Sequence, residues 1–279
     1  MLRTFKVRLY HTRIIMKDTT LYINDFSMNY ISFGKGKKNL ILIPGLGDGL
    51  TTVKGTSIPF SILYQAYTKD YTVYSFSSRN EIKEGHTTKD MAMDLKKAMD
   101  ALNLTSVDVV GVSQGGMIAQ ELAILYPEVV NKLVLVVTCA QKNDLIEEKI
   151  EYWKDLVLKD DYKRFMDDNV KQMYSDAYYK KNKWMVSLVS LFTKPKSFKR
   201  FLIMADACVS HNTYHELDKI QADTLIIGGK LDQVVGYLPS IELNKKIKDS
   251  ECYIYENYGH ALYEEASDFN TRVLTFLRK

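Results

Sequence analysis

Short apolar runs alternate with stretches of helical periodicity from about residue 28 to 140, and the alternation resumes after about residue 216. Runs at 28–33, 39–43, 71–76, 107–110 and 133–137 read as strands, as do later runs at 224–227 and 252–255. The run at 133–137 is apolar throughout, as a strand is when helices cover both faces of its sheet. Between the runs, apolar side chains return at helical spacing. Met91, Leu95, Ala98, Met99 and Leu102 form one such stripe, and Ile118, Leu122 and Leu125 another. Thr87-Thr88-Lys89-Asp90 opens the first of these helices with a signal close to a capping box, and Pro127 closes the second. Further helices are expected near 239–247 and at the C-terminus, where Ala266, Phe269, Val273, Phe276 and Leu277 make the stripe. This order predicts an α/β fold with a mostly parallel sheet covered by helices on both faces.

The texture changes at residues 141–215, which are charged, aromatic and helical with little strand signal. Trp153, Phe165, Trp184, Phe192 and Phe201 stand there among many tyrosines and lysines. We read 28–140 together with 216–279 as the core and 141–215 as a helical cap inserted between two strands, above the sheet edge where open α/β folds bind ligands. Residues 1–27 read as an N-terminal tail with a possible first strand.

Composition narrows the class. The chain has 279 residues, 46% of them hydrophobic, and a net charge of +4 spread over nearly equal numbers of acids and bases. That balance gives no nucleic-acid signature. The densest basic run, from Lys194 to Arg200, reads as a solvated face. Cys139, Cys208 and Cys252 are odd in number and far apart, which fits reduced thiols and a cytoplasmic location. No membrane span is expected, and the basic N-terminus lacks the apolar stretch of a signal peptide.

The sharpest local signal is Gly111-Val112-Ser113-Gln114-Gly115-Gly116, which directly follows the strand at 107–110 and precedes an amphipathic helix. A strand–turn–helix with this G-x-S-x-G pattern is the setting of a nucleophile elbow. A serine hydroxyl is a poor nucleophile at neutral pH, so Ser113 needs a base, and the base needs an orienting acid. Five histidines are available. His260 is the best placed, just beyond the strand at 252–255. His11 lies in the tail, His86 in a polar loop, and His211 and His215 are taken as polar helix positions without a third metal ligand. Asp232 follows the strand at 224–227 and gives the order Ser, Asp, His described for this elbow class. The backbone N–H groups of Leu46 and Gln114 are the candidate oxyanion donors. The loop Pro44-Gly45-Leu46-Gly47-Asp48-Gly49-Leu50 lacks the third glycine of a dinucleotide fingerprint, so no cofactor and no metal is expected.

Together these residues resemble the α/β-hydrolase superfamily, in its capped esterase, lactonase and peptidase-like branch. Ile43 to Gly47 looks like that branch's oxyanion loop, and Gly111 to Gly116 like its elbow. Ala123 to Glu128 and Lys132 to Val136 resemble its helix-to-strand segment, Asp223 to Asp232 its acid-bearing segment, and Gly259-His260 its histidine segment. The resemblance implies an eight-stranded sheet. Pro44 departs from the usual histidine, and Ser77-Ser78-Arg79-Asn80 stands where many relatives carry Asp-x-Arg-Gly. A serine at the elbow argues against haloalkane dehalogenase and epoxide hydrolase chemistry, which use an aspartate. The expected activity is hydrolysis of an ester-like bond in a small, partly apolar substrate through an acyl-enzyme. The same triad could serve a lactonase, thioesterase, amidase, carbon–carbon hydrolase or acyltransferase. The scaffold could also act as a non-hydrolytic ligand-binding or regulatory protein.

Overall fold

The computed structural model describes residues 16–279, with the backbone alone at 186–192. The expected tail over residues 1–15, with His11, and the side chain of Phe192 therefore lie outside the described residues. Eight strands form one sheet in the order β1-β2-β4-β3-β5-β6-β7-β8. They are β1 (Lys17–Ile23), β2 (Phe26–Gly34), β3 (Lys38–Ile43), β4 (Tyr71–Arg79), β5 (Val107–Val112), β6 (Val130–Val136), β7 (Asp223–Gly229) and β8 (Ser250–Tyr255). The β1–β2 and β2–β4 pairs are antiparallel, and all pairs from β4 to β8 are parallel. The strand expected within 1–27 is β1, hairpinned onto β2.

Side-chain alternation along the central strands divides the core between two faces. Ile41, Val109, Leu133 and Leu135 face one side, where α2 (Thr88–Ala101) and α3 (Gln114–Leu125) cover them. Leu40, Leu42, Val110, Val134 and Val136 face the other, against α10 (Phe269–Leu277). The Thr87–Asp90 capping box is formed in both directions. One helix of the sequence reading is divided. Ala266, the first residue of the expected C-terminal stripe, is extended and lies between a short α9 (Leu262–Glu265) and α10, which carries the rest of the stripe from Phe269. A helix not anticipated from periodicity, α1 (Ser57–Leu63), follows the loop after β3; it has no buried residue, so no apolar stripe announced it.

The chain reverses its direction of travel across the sheet at β3, which pairs with β4 on one side and β5 on the other. Loops leaving neighbouring strands at such a point run apart and leave a crevice at the carboxyl edge. Four helices inserted between β6 and β7 lie beside it: α4 (Asp144–Leu158), α5 (Tyr162–Met173), α6 (Asp176–Thr193) and α7 (Lys199–Ser210). Trp153, Phe165 and Phe201 are buried where they pack together, whereas Trp184 is 66% exposed. A bridge between Gln141 and Asn212 closes the neck of the insertion.

His211, at the end of α7, is not the polar helix position expected. It is buried at that neck, with Nδ1 2.8 Å from Thr88 Oγ1 and Nε2 3.3 Å from Thr213 Oγ1, which in turn donates to Gln120 Oε1 at 2.7 Å. His215 beyond it is exposed, and among the described residues no three or more His, Cys, Asp or Glu side chains are grouped as a metal ion would need. Burial holds the His211 imidazole far below its ordinary range, at about 3. An unfolded chain therefore binds a proton near the ordinary value of 6.5 that the folded chain refuses. Folding stability should fall as pH drops below about 6.5 and keep falling towards about 3. Denaturant unfolding of the wild type and His211→Gln across that range tests this. A shallower pH slope is expected in the variant, and identical slopes would contradict the assignment.

Candidate active site

The turn between β5 and α3 holds Ser113 at φ 55° and ψ −120°, a conformation that non-glycine residues rarely adopt and that costs about 1–3 kcal/mol. Neighbouring backbone fixes it. The Ser113 N–H donates to Val136 O at 2.9 Å, and Thr138 Oγ1 donates to Ser113 O at 2.8 Å. A Cβ on Gly115 would stand 2.1 Å from Ile43 O, so only glycine lets α3 start this close to the end of β3. The turn thereby sets the side chain of Ser113 against the loop that follows β3.

His260 and Asp232 arrive from loops after β8 and β7 at the same sheet edge. His260 is buried, and its Nδ1 lies 2.8 Å from Asp232 Oδ2. The other carboxylate oxygen, Oδ1, accepts from the backbone N–H groups of Val234 and Val235 at 2.8 and 3.0 Å. Asp232 is thus both the turn residue that local sequence suggests and the partner of the imidazole. With Nδ1–H donating to the carboxylate, Nε2 carries the lone pair and is free to accept a proton. The backbone N–H of Ala261 donates to Met173 O at 2.7 Å, which ties the histidine loop to the end of α5.

Ser113 and His260 line one cavity of about 490 Å³. Leu46 lines it too, and Gln114 follows Ser113 as the first residue of α3. Neither the Leu46 nor the Gln114 backbone N–H has an acceptor among the described residues. The four residues named with Asp232 from the sequence are therefore gathered at one place. The cavity is walled by apolar side chains from both layers, including Ile146, Trp153 and Phe165 of the insertion and Phe60 and Tyr64 of the loop region after β3. Its lining holds two carboxylates, Asp48 and Glu264, and no lysine or arginine.

Two charged residues near the site escaped the sequence reading. Asp48 is almost fully buried and lies two residues past Leu46, where an aspartate between glycines looks like an ordinary turn residue. Its partner is Arg200, at 2.6 Å, from the basic run read as a solvated face. That reading fails at Arg200, whose side chain is only 15% exposed, although Lys196 and Lys199 do face solvent. Ser77-Ser78-Arg79-Asn80 also has a definite role. Arg79, which matches the family pattern, donates from Nη2 to Asp94 Oδ1 at 3.1 Å, and His86 Nε2 lies 3.0 Å from Asp94 Oδ2; of the departing residues, Ser77 Oγ accepts from the Val53 N–H at 2.9 Å and Asn80 Nδ2 donates to Ser27 Oγ at 2.8 Å.

A family model described as the alpha/beta hydrolase fold matches residues 38–267. A 2-hydroxy-6-oxononadienedioate/2-hydroxy-6-oxononatrienedioate hydrolase of Pseudomonas putida is 25% identical, over 95% of this chain and 99% of its own length. Among solved structures, MGS-M2, an alpha/beta hydrolase enzyme from a Medee basin deep-sea metagenome library, superposes with a TM-score of 0.83 at 20% identity, over 94% of this chain and 98% of the other. The enol-lactonase of Burkholderia xenovorans gives 0.79 at 16% identity, over 94% and 100%. These likenesses agree with the fold described above, and the family model spans most of the sequence: the chain belongs to the α/β-hydrolase fold family.

Proposed function

We propose that this chain is a serine hydrolase that cleaves an ester-like bond in a small, neutral, largely apolar substrate through an acyl-enzyme. The observation that carries the reading is the 2.8 Å contact between His260 Nδ1 and Asp232 Oδ2, in a cavity shared with Ser113. That contact fixes the tautomer that makes Nε2 a base. Ser113 Oγ attacks the carbonyl carbon as His260 Nε2 takes the hydroxyl proton, and Asp232 stabilises the imidazolium that forms. The Leu46 and Gln114 N–H groups donate hydrogen bonds to the carbonyl oxygen and stabilise the charge that collects on it. Collapse of the tetrahedral intermediate expels the alcohol, which receives the proton from His260. Water, deprotonated by the same imidazole, then attacks the acyl carbon and releases the acid and free Ser113. Residues 141–215 act in this reading as a cap that supplies much of the apolar wall.

A second reading has specific support from the comparisons. The Pseudomonas putida relative is named for 2-hydroxy-6-oxo-dienedioate substrates, and a structural neighbour from Pseudomonas fluorescens is a meta-cleavage product hydrolase. Cleavage of a carbon–carbon bond beside a ketone could use the same three residues. A dioate carries two negative charges, however, and burying both in a lining that holds no lysine or arginine is costly. The lining therefore favours the neutral ester over a dioate.

Turnover of p-nitrophenyl butyrate and of a 2-hydroxy-6-oxo-dienoate, side by side, separates the two readings. The ester should be the better substrate. Ser113→Ala is expected to lose at least about 10³-fold in kcat. Undiminished turnover in that variant would remove the nucleophile, and preference for the dienoate would favour carbon–carbon cleavage. Asp232→Asn should retain the fold yet lose a comparable factor in kcat, because the amide no longer fixes the Nδ1–H tautomer. Activity within threefold of wild type in this variant would contradict its role as the orienting acid.

A further inference from the structure

We propose that Asp48 and Arg200 are positioning residues, through which helix α7 holds the oxyanion loop in register with Ser113. The inference rests on the serine hydrolase reading above and adds to it a pair that touches no reacting atom.

Arg200 reaches from the first turn of α7 to two segments of the core, the Leu46–Gly49 turn and the end of β4. Its Nε donates to Asp48 O at 3.1 Å, and its Nη2 donates to Asp48 Oδ2 at 2.6 Å and to Ser78 O at 2.9 Å; its Nη1 donates to Arg79 O. Asp48 Oδ2 also accepts from the Ser78 N–H at 3.0 Å. The single 3-10 turn Leu46–Gly49 that bears the Leu46 N–H is thus pinned to the end of β4 and to α7 at once. Packing leaves no slack, because a Cβ on Gly49 would stand 2.8 Å from the Cα of Phe201. The same helix grips the other candidate donor: Gln114 Nε2 donates to Met204 O at 2.5 Å, one turn beyond Arg200. One face of α7 therefore fastens the turn that bears Leu46, through Asp48, and the side chain of Gln114.

The cost of the arrangement argues that it serves more than stability. A buried ion pair roughly breaks even against apolar packing, and a partly satisfied one is worse. Asp48 Oδ1 is buried and has no hydrogen-bond partner among the described residues. A planar guanidinium that crosslinks a loop, a strand end and a helix does what apolar contact does poorly, which is to hold the loop in one place. Oxyanion donors act only if they already point at the place where charge develops, and a displacement of about 1 Å costs on the order of 100-fold.

The test compares Asp48→Asn, Arg200→Gln and the charge-free double variant Asp48→Asn/Arg200→Met with wild type and Ser113→Ala, on the full chain. Measured are kcat and KM for p-nitrophenyl butyrate, the inhibition constant of an alkyl trifluoromethyl ketone, and the thermal midpoint. The ketone adds Ser113 Oγ to its carbonyl carbon and leaves an alkoxide in the oxyanion site, whereas KM reads the apolar cavity. Expected is a fall in kcat of about 30- to 100-fold with a parallel loss of ketone affinity. KM should stay within about threefold, and the double variant should be no worse than the singles. Double-variant protein that melts cooperatively near the wild-type temperature, yet shows this split, would support positioning. Unchanged kcat and ketone affinity in the folded variants would overturn it, as would losses that merely track the fraction of unfolded protein. Turnover surviving in Ser113→Ala would overturn the underlying hydrolase reading and this inference together.

Discussion

The site depends on one strained turn. With Ser113 held at positive φ, β5 ends and α3 begins within a single residue, and the side chain projects at the carboxyl edge of the sheet. Strain of this kind persists only where the surroundings over-determine it. Here they do: the Ser113 amide and carbonyl are both bonded to the β6 end, and the glycines let α3 pack against the terminus of β3. The position of the loop after β3 follows from the same contact. So does the cavity, because the chain changes direction across the sheet at β3 and leaves a gap there.

Around that turn the charges are arranged by layer. The sheet supplies the imidazole–carboxylate pair from the ends of β7 and β8. The inserted helices supply apolar walls and ties, among them Arg200 onto the Leu46–Gly49 turn, Met204 O onto the Gln114 side chain, and Met173 O onto the amide beside His260. The insertion thus reaches both sides of the site without placing a cation in its lining. In the proposed mechanism the core holds the reacting groups, and the inserted layer sets their register and the polarity of the space above them.

Much of this was legible in the sequence, because the informative signals are local. Strand periods, the glycines at the elbow, the capping box at Thr87 and the short segments around Ser113, Asp232 and His260 each occupy a few adjacent residues. The resemblance to relatives added the strand count. What stayed hidden depends on contacts distant in sequence. Asp48 and Arg200 lie 152 residues apart, and neither shows in isolation whether it meets water or a partner. His211 looked like a polar surface residue because its burial is created by Thr88 and Thr213 closing the neck. Helix α1 was missed for a related reason: with no buried side it carries no period to read.

The central claim is that Ser113 is the nucleophile and that His260 activates it. Intact-mass and peptide mass spectrometry after exposure to a fluorophosphonate tests this most directly. The reagent replaces its fluoride with the serine oxygen and marks only an activated hydroxyl. The expected result is a single adduct on the peptide containing Ser113, formed at least about 10³-fold more slowly when His260 is replaced by alanine. An adduct on another residue, or labelling of Ser113 at an undiminished rate without His260, would contradict it.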